Sequence, residues 1–328
     1  MEQRGSTLRQ LYEERLQMLE FADDGGFVRY HKAEHHFTPL DCAPSATVFL
    51  AAASQRTRRI RLGSLVQLLP FYHPLRLIEE ICTLDHLCGG RLDVGVGKGI
   101  SPIEHALWGL EPEEARARAD ETLAILRAGL VTDRLTYRGA FHNFVDVPLH
   151  MAPMQRPHPP LWYPGNVAFA GEHRLNTVVG GPVAAVAAQV QRYRQLLKAP
   201  GTDWNPGVAA PVIGATRHMF IAARRDVARD RARAAWRQYD ANLAQLWRAH
   251  GVTPTGSPTM NGDFDRAVAF DVVLAGTPED AVEQLRALEG QADVDYCVGA
   301  FAWGNLQHAE VMRSLALFVR EVMPQFAV

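Results

Sequence analysis

The sequence predicts an α/β fold of the (β/α)8 barrel class, and two observations carry this prediction. In the stretch 59–99 an apolar run beginning at Ile60 is closed by Pro70, apolar residues then follow at helical spacing, and a second apolar run begins at Leu92. Strand, helix and strand with short connections form a right-handed unit of two parallel strands. The second observation is size, because 328 residues with 47% apolar content and no linker-like stretch fit one undivided barrel. We therefore expect residues 1–328 to form a single domain.

Helix and strand signals then alternate along the rest of the chain. Apolar side chains three or four residues apart predict helices, and short apolar runs bounded by Gly or Pro predict strands. Ser45 and Thr277 are placed to cap helices, with Pro278 at a first helical position and Gly89-Gly90 at a helix end. The predicted elements are a first helix ended by Gly25-Gly26, strand 27–37, helix 45–54, the stretch 59–99 with its helix 74–88, helix 113–127, strand 161–163, helix 167–175, strand 176–180, helix 183–197, strand 212–222, helix 224–250, a helix opening at 277, strand 294–298 and helix 308–322.

Composition and charge argue against several classes of function. A net charge of −2, with acidic and basic residues mixed, gives no electrostatic reason to expect nucleic acid or an anionic membrane surface as partner. No apolar run approaches the roughly 20 residues of a membrane span, and the polar first ten residues are no secretory signal. We therefore expect a cytoplasmic protein. The cysteines form no C-x-x-C pair, so we expect reduced thiols at Cys42, Cys82, Cys88 and Cys297.

Several motifs together resemble one known family. They are L-P-F-Y-H-P from Leu69, E-E-I-C-T-L-D from Glu79, G-R-L-D-V-G-V-G-K-G from Gly90, A-E-H-H-F from Ala33, P-M-Q-R-P-H-P-P from Pro153 and the terminal S-L-A-L-F-V-R-E-V-M-P-Q-F. This set resembles the bacterial-luciferase-like, flavin-dependent monooxygenases, over about residues 11–326. Lys98 departs from the pattern, because the family usually carries Arg there.

The resemblance implies a barrel of the luciferase-like type with a flavin across the carboxyl ends of its strands. It implies that a separate reductase supplies reduced FMN, that O2 adds to the flavin, and that the flavin hydroperoxide oxygenates a small organic substrate. Relatives begin with an apolar strand, and the residues ahead of Thr7 are too few and too polar to form one. We therefore expect the first strand to be missing or replaced, or to lie upstream of the sequence in hand. Relatives dimerise through the helices 45–54 and 74–88, so a homodimer is expected, with packing on its own barrel as the alternative.

The resemblance also implies roles for particular residues. His35 is implied as an acid/base group in the flavin pocket, which suits an imidazole that titrates near neutral pH. Leu65-Val66 falls where relatives carry a cis peptide under the flavin ring, with Ser64-Leu65 as a second possible register. His36 is expected to be structural. A metal site using His31, Glu34, His35 and His36 is disfavoured, because neighbouring residues of a strand point to opposite faces, and we expect no metal.

The flavin phosphate is expected between two loops. Gly97 and Lys98 end one strand, and Gly165 and Asn166 precede a helix whose free amides favour an anion. A plain Asn helix cap is the alternative role of Asn166. His73 is a candidate either for substrate contact or for loop hydrogen bonding.

Three questions stay open at this level. A non-catalytic flavin-binding or partner subunit is the main alternative function, and a deazaflavin-dependent oxidoreductase is the second. Substrate identity cannot be read, because the loops that would select the substrate carry the least similarity. The loop 251–265 is a plausible mobile lid.

Overall fold

The computed structural model describes residues 6–252 and 262–326, and strands alternate with helices along most of these ranges. The strands are β1 (Arg29–Lys32), β2 (Arg61–Ser64), β3 (Gln67–Leu68), β4 (Leu92–Gly97), β5 (Arg134–Arg138), β6 (Asn143–Pro148), β7 (Leu161–Trp162), β8 (Thr177–Val179), β9 (Ile213–Ile221), β10 (Val273–Gly276) and β11 (Tyr296–Ala300). The helices are α1 (Leu8–Asp24), α2 (Ala46–Arg56), α3 (Pro74–Leu87), α4 (Pro102–Leu107), α5 (Pro112–Gly129), α6 (Val167–Glu172), α7 (Val183–Lys198), α8 (Arg225–Ala249), α9 (Phe264–Ala269), α10 (Pro278–Ala292) and α11 (His308–Leu317). The predicted lid falls mostly on residues 253–261, which lie outside the described residues.

Seven strands of the described chain form the inner layer of a barrel, and all their ladders are parallel. The order is β1, β2, β4 and β7, then β8, β9 and β11, with a single bridge from Trp162 to Asn176 joining the two groups. β10 pairs with the end of β9, on the side where β8 pairs with its beginning. Two further strands, β5 and β6, form an antiparallel hairpin outside the barrel. Because parallel strands end at one face, the loops after them meet there.

The eighth strand position is unfilled in the described residues, as the sequence predicts. No ladder joins β1 to β11 there, and all five residues of β11 are half-buried rather than buried. Three rings pack against one another beside this seam, with centroids 5.1–6.1 Å apart: Phe27, Phe301 and Phe318. Side chains, and no replacement strand, therefore line the seam in this part of the chain.

The predicted strand 27–37 is wrong beyond Lys32, where the ladder stops. The Lys32 ammonium forms a buried ion pair with Asp41, 2.6 Å from its carboxylate. Glu34 accepts a hydrogen bond from Tyr72, and Phe37 adopts a left-handed φ of 59°. These tertiary contacts direct the backbone away from β2, so the histidines that follow lie on a loop.

Helix ends agree with the sequence in most places. Thr277 and Asp280 form a capping box at the start of α10, and Gly89 and Gly90 take positive φ values of 63° and 77° after α3. The predicted Ser45 cap is wrong in one respect, because Ser45 precedes α2 but its side chain makes no capping hydrogen bond. The last helix is shorter than predicted, since α11 ends at residue 317 and passes into a π-helical turn.

The four cysteines carry free thiols, and those of Cys82 and Cys88 are buried. No helix in the described ranges is long and apolar enough to cross a bilayer.

Candidate functional site

The candidate residues from the sequence come together at one face of the barrel. His35 follows β1, Leu65-Val66 follows β2, Lys98 follows β4 and Gly165-Asn166 follows β7. β1, β2, β4 and β7 are consecutive neighbours in the sheet. The carboxyl ends of these strands therefore bring the four loops side by side, where barrel active sites form.

A cis peptide lies between Leu65 and Val66, in the first of the two registers that the sequence suggests. It separates β2 from β3, and the β4 glycines pack directly against this break. A Cβ atom on Gly97 would lie 2.7 Å from Val66 Cγ2, and one on Gly95 would lie 2.2 Å from the Ser64 carbonyl oxygen. A side chain at either position would collide with these atoms, so the glycines let β4 pack tightly against the break.

The loop after β1 carries two histidines, each facing a buried carboxylate. His36 Nε2 lies 2.8 Å from Glu34 Oε1, and His35 Nδ1 lies 3.7 Å from Glu104 Oε1. Glu34 is only 3% exposed, whereas the His35 side chain is 30% exposed and reaches solvent. A carboxylate beside an imidazole fixes the orientation of the ring.

Tyr72 completes a hydrogen-bonded chain behind His36. Its hydroxyl donates to Glu34 Oε2 over 2.9 Å, and the Leu68 amide donates more weakly to the same oxygen over 3.4 Å. Burial, and then the Glu34 charge, raise the pKa of Tyr72, so its proton stays in place at neutral pH. Glu34 is therefore held on both oxygens, and His36 is held through it.

Lys98 has a partner that the sequence does not reveal. Its ammonium lies 2.7 Å from Asp120 on α5, and both side chains are substantially exposed. The Lys98 carbonyl accepts a hydrogen bond from His105 Nε2 over 2.9 Å. The charge is thus present at the predicted position, but it is shared with a carboxylate 22 residues away.

The loop after β7 has the open glycine and the helix-capping asparagine that the sequence predicts. Gly165 has a φ of 85° and no atom within 4 Å of the position its Cβ would take, so its backbone faces open space. Asn166 caps α6, and its Oδ1 accepts from the Phe169 amide over 3.0 Å. The helix ends at Glu172, earlier than predicted, and the side-chain amide nitrogen of Asn166 remains able to donate.

His73 lies outside this group of contacts. It is exposed at the start of α3, and its ring lies 5.4 Å from that of His142 and 5.9 Å from that of Phe144 on the β5–β6 hairpin. Tyr72, one residue earlier, is the residue that reaches Glu34.

The suggested metal ligands do not converge. The His31 ring packs edge-on against Trp162 and Tyr296, and burial lowers its pKa to about 3, with nearby Arg29 adding to the effect. In the described ranges, no group of three or more His, Cys, Asp or Glu residues is arranged to hold a metal ion.

Three aromatic rings surround His36, and the sequence alone does not single out two of them, Phe71 and Trp108. The His36 ring lies edge-on to Phe71 and Trp108, with centroids 5.5 and 5.4 Å away, and Phe37 adjoins it at 5.9 Å. Sequence reasoning also misses Tyr72 and Glu104. Their only local signals are a tyrosine inside the L-P-F-Y-H-P loop and a glutamate in the short helix that Ser101 caps.

Comparison with known proteins gives the same family that the sequence motifs resemble. Residues 1–294 match the model of a family described as luciferase-like monooxygenase. The oxygenase component of flavin-dependent trigonelline monooxygenase from Acinetobacter baylyi is 29% identical, with 98% of this chain and 91% of that protein covered.

Two solved structures show the fold relation. Monooxygenase RslO1 from Streptomyces bottropensis superposes with a TM-score of 0.86 and 28% identity, covering 98% of this chain and 95% of that one. The oxygenating constituent of 3,6-diketocamphane monooxygenase from Pseudomonas putida, in complex with FMN, gives a TM-score of 0.80 at 20% identity, with 98% and 95% covered. At that lower identity the likeness supports the fold alone.

Proposed function

Because this chain belongs to the luciferase-like monooxygenase family, we propose that it is an FMN-dependent monooxygenase that uses reduced FMN and O2 to oxygenate a small organic substrate. We propose further that residues 1–328 act as one barrel domain. The observation that carries the proposal is the arrangement of two histidine–carboxylate pairs beside the glycine-lined break at Leu65-Val66. Imidazoles oriented in this way favour a catalytic role over that of a non-catalytic partner subunit.

The residues at the site fit a flavin. Gly97 packs tightly on Val66 below the break, and the open space above Gly165 leaves room for the part of the flavin that carries the phosphate. Leu65 and Val66 would support the ring, while Lys98, Gly165 and Asn166 would hold the phosphate through a point charge and free amide donors. When bound, reduced FMN would supply the electrons that activate O2 for oxygen transfer.

The protein's own part in the reaction is proton control and the exclusion of water. His35 faces Glu104 with Nδ1, which leaves Nε2 as the atom that gives or takes a proton at the site. Glu104 is 6% exposed and lies too deep to move freely, so it acts by orienting the ring. Tyr72 and Glu34 hold His36 beside it, which keeps the loop after β1 in one conformation.

Two partners follow from the same proposal. A separate reductase would deliver reduced FMN, as the name of the trigonelline relative, an oxygenase component, suggests. A second copy would pack on α2 and α3, which are joined by the Thr47–Glu80 hydrogen bond and leave Val48 71% and Leu87 48% exposed. Apolar side chains this exposed on adjacent helices suit a dimer interface.

The proposal is tested by supplying the full chain with an FMN reductase, NADH and a panel of organic molecules under 18O2. A product heavier by one 18O atom, absent when the protein is omitted, is the expected result. A panel that gives no oxygenated product, with O2 uptake equal to that of the reductase alone, would favour the partner-subunit alternative. Substrate conversion that needs a deazaflavin in place of FMN would favour the second alternative, a deazaflavin-dependent oxidoreductase.

A further inference from the structure

Three aromatic side chains, which we call the aromatic wall, stand beside the histidine pair: Phe37 and Trp108, which are exposed, and Phe71, which is half-buried. Trp108 stacks on Phe71 with centroids 5.2 Å apart and planes 18° from parallel, and Phe37 lies 6.0 Å from Trp108. Phe37 is 56% and Trp108 is 45% exposed. A contiguous aromatic surface at the mouth of a site is more than folding requires, because large rings in the open lose the benefit of burial.

The wall is assembled from three neighbouring strands. Phe37 lies on the loop after β1, Phe71 follows β3, and Trp108 follows the short helix α4 that comes after β4. The chain segments that follow β1, β2 and β4 also carry His35, the Leu65-Val66 break and Lys98. The rings and the residues proposed for the flavin therefore share the carboxyl face of the barrel.

The charge beneath the wall is negative. Glu34 contacts the His36 ring, and the Glu104 carboxylate lies 3.5 Å from the His36 amide nitrogen. The two lysines nearest along these loops are engaged elsewhere, Lys32 with Asp41 and Lys98 with Asp120. Carboxylates behind exposed rings repel an anion and attract a cation, to which the ring faces add their own attraction.

We propose that the aromatic wall binds a planar organic ring that carries no negative charge, and that it sets the substrate class as neutral or cationic ring compounds. The assignment of this ligand as substrate rests on the proposed function, whereas binding to the wall does not. Trp108 stacks on the ligand ring, Phe71 backs Trp108, and Phe37 closes one side. Glu34 and Glu104 exclude carboxylates.

The test is calorimetric titration of the full chain with four probes that need no turnover. The probes are 2-naphthol, N-methylquinolinium, 2-naphthoate and 1-octanol, which separate ring, positive charge, negative charge and flexible chain. Each is titrated into the unmodified protein, Trp108→Ala, Trp108→Phe and the control Val145→Ala, which removes an exposed apolar side chain on the β5–β6 hairpin. Circular dichroism establishes that each variant is folded.

We expect the two uncharged or cationic rings to bind, Trp108→Ala to weaken them about tenfold, and Trp108→Phe to keep affinity within about threefold. Naphthoate should bind at least about tenfold more weakly than naphthol, and Val145→Ala should behave as the unmodified protein. Equal binding of naphthoate, no loss in Trp108→Ala, or an equal dependence of octanol on Trp108 would each overturn the proposal. So would dissociation of an oligomer in Trp108→Ala by sedimentation, since a second copy would then be the occupant.

These outcomes are separable from those of the 18O2 experiment. A protein that oxygenates substrates but shows no ring selectivity would refute the aromatic wall alone. A protein that binds rings through Trp108 and never oxygenates would refute the proposed function alone.

Discussion

The sharpest prediction concerns Lys98 and the phosphate of FMN. A hydrogen bond to a charged group contributes about 1.5–3 kcal/mol, but the Lys98 ammonium already pairs with Asp120 at 2.7 Å. That pair is exposed, 34% and 57% for the two side chains, so it stabilises the protein by only about 0.2–1 kcal/mol. Sharing Lys98 with Asp120 leaves a net contribution to FMN binding of about 1–2 kcal/mol, roughly 5- to 30-fold in Kd.

The assay is flavin fluorescence titrated with protein, run in parallel with FMN and with riboflavin, which lacks the phosphate. Lys98→Ala should weaken FMN by that factor and leave riboflavin unchanged, while Asp120→Asn should strengthen FMN by up to about 1 kcal/mol because the ammonium is released. Lys98→Arg should match or exceed the original affinity, since a guanidinium contacts two phosphate oxygens. Lys198→Ala, which removes an exposed lysine at the end of α7, is the matched control for charge.

Two results would refute this reasoning. Equal losses for FMN and riboflavin in Lys98→Ala would mean that Lys98 supports its loop, and the phosphate site would have to be sought elsewhere. Weaker FMN binding in Asp120→Asn would mean that Asp120 positions the lysine and does not compete for it.

Three further substitutions test the two residues proposed to control protons and one buried carboxylate that stabilises the fold. His35→Ala should slow oxygenation by roughly a hundredfold or more with little change in FMN affinity; unchanged turnover would remove His35 from the mechanism. Tyr72→Phe deletes one bond to Glu34 and should shift the pH profile of turnover, whereas lower thermal stability with an unmoved profile would make Tyr72 purely structural. Burial would raise the pKa of Asp23, but backbone amide donors led by that of Arg58 lower it. Asp23→Asn should therefore cost about 1–3 kcal/mol of unfolding free energy at pH 7. Chemical denaturation of both proteins should show this difference shrinking as the pH falls below about 4, where the carboxylate becomes protonated.

What the sequence predicts well is what local pattern determines. The parallel strands and the Thr277 cap each follow from residues within one stretch of chain, whereas the position of the cis peptide follows from the resemblance to the family. In the stretch 59–99 the helix and the second strand lie within one residue of their predicted bounds, but the first apolar run forms two short strands, β2 and β3, instead of one.

What the sequence predicts poorly depends on partners distant along the chain. The strand after Phe27 ends at Lys32 because Asp41 forms a buried ion pair with it. Tyr72 reaches Glu34 across 38 residues, and Asp120 reaches Lys98 across 22. Spacing within one element cannot register such contacts, so the carboxylates that orient the histidines emerge only from the fold.

The most direct test of the central claim needs no substrate. Photoreduced FMN is mixed anaerobically with excess protein and then with O2 in a stopped-flow spectrometer, and its reoxidation is compared with that of free FMN. The account predicts that the protein binds reduced FMN and that reoxidation gains a slower, protein-dependent phase, which His35→Ala alters. Reoxidation at the rate of free FMN, with no binding of the reduced flavin, would contradict it.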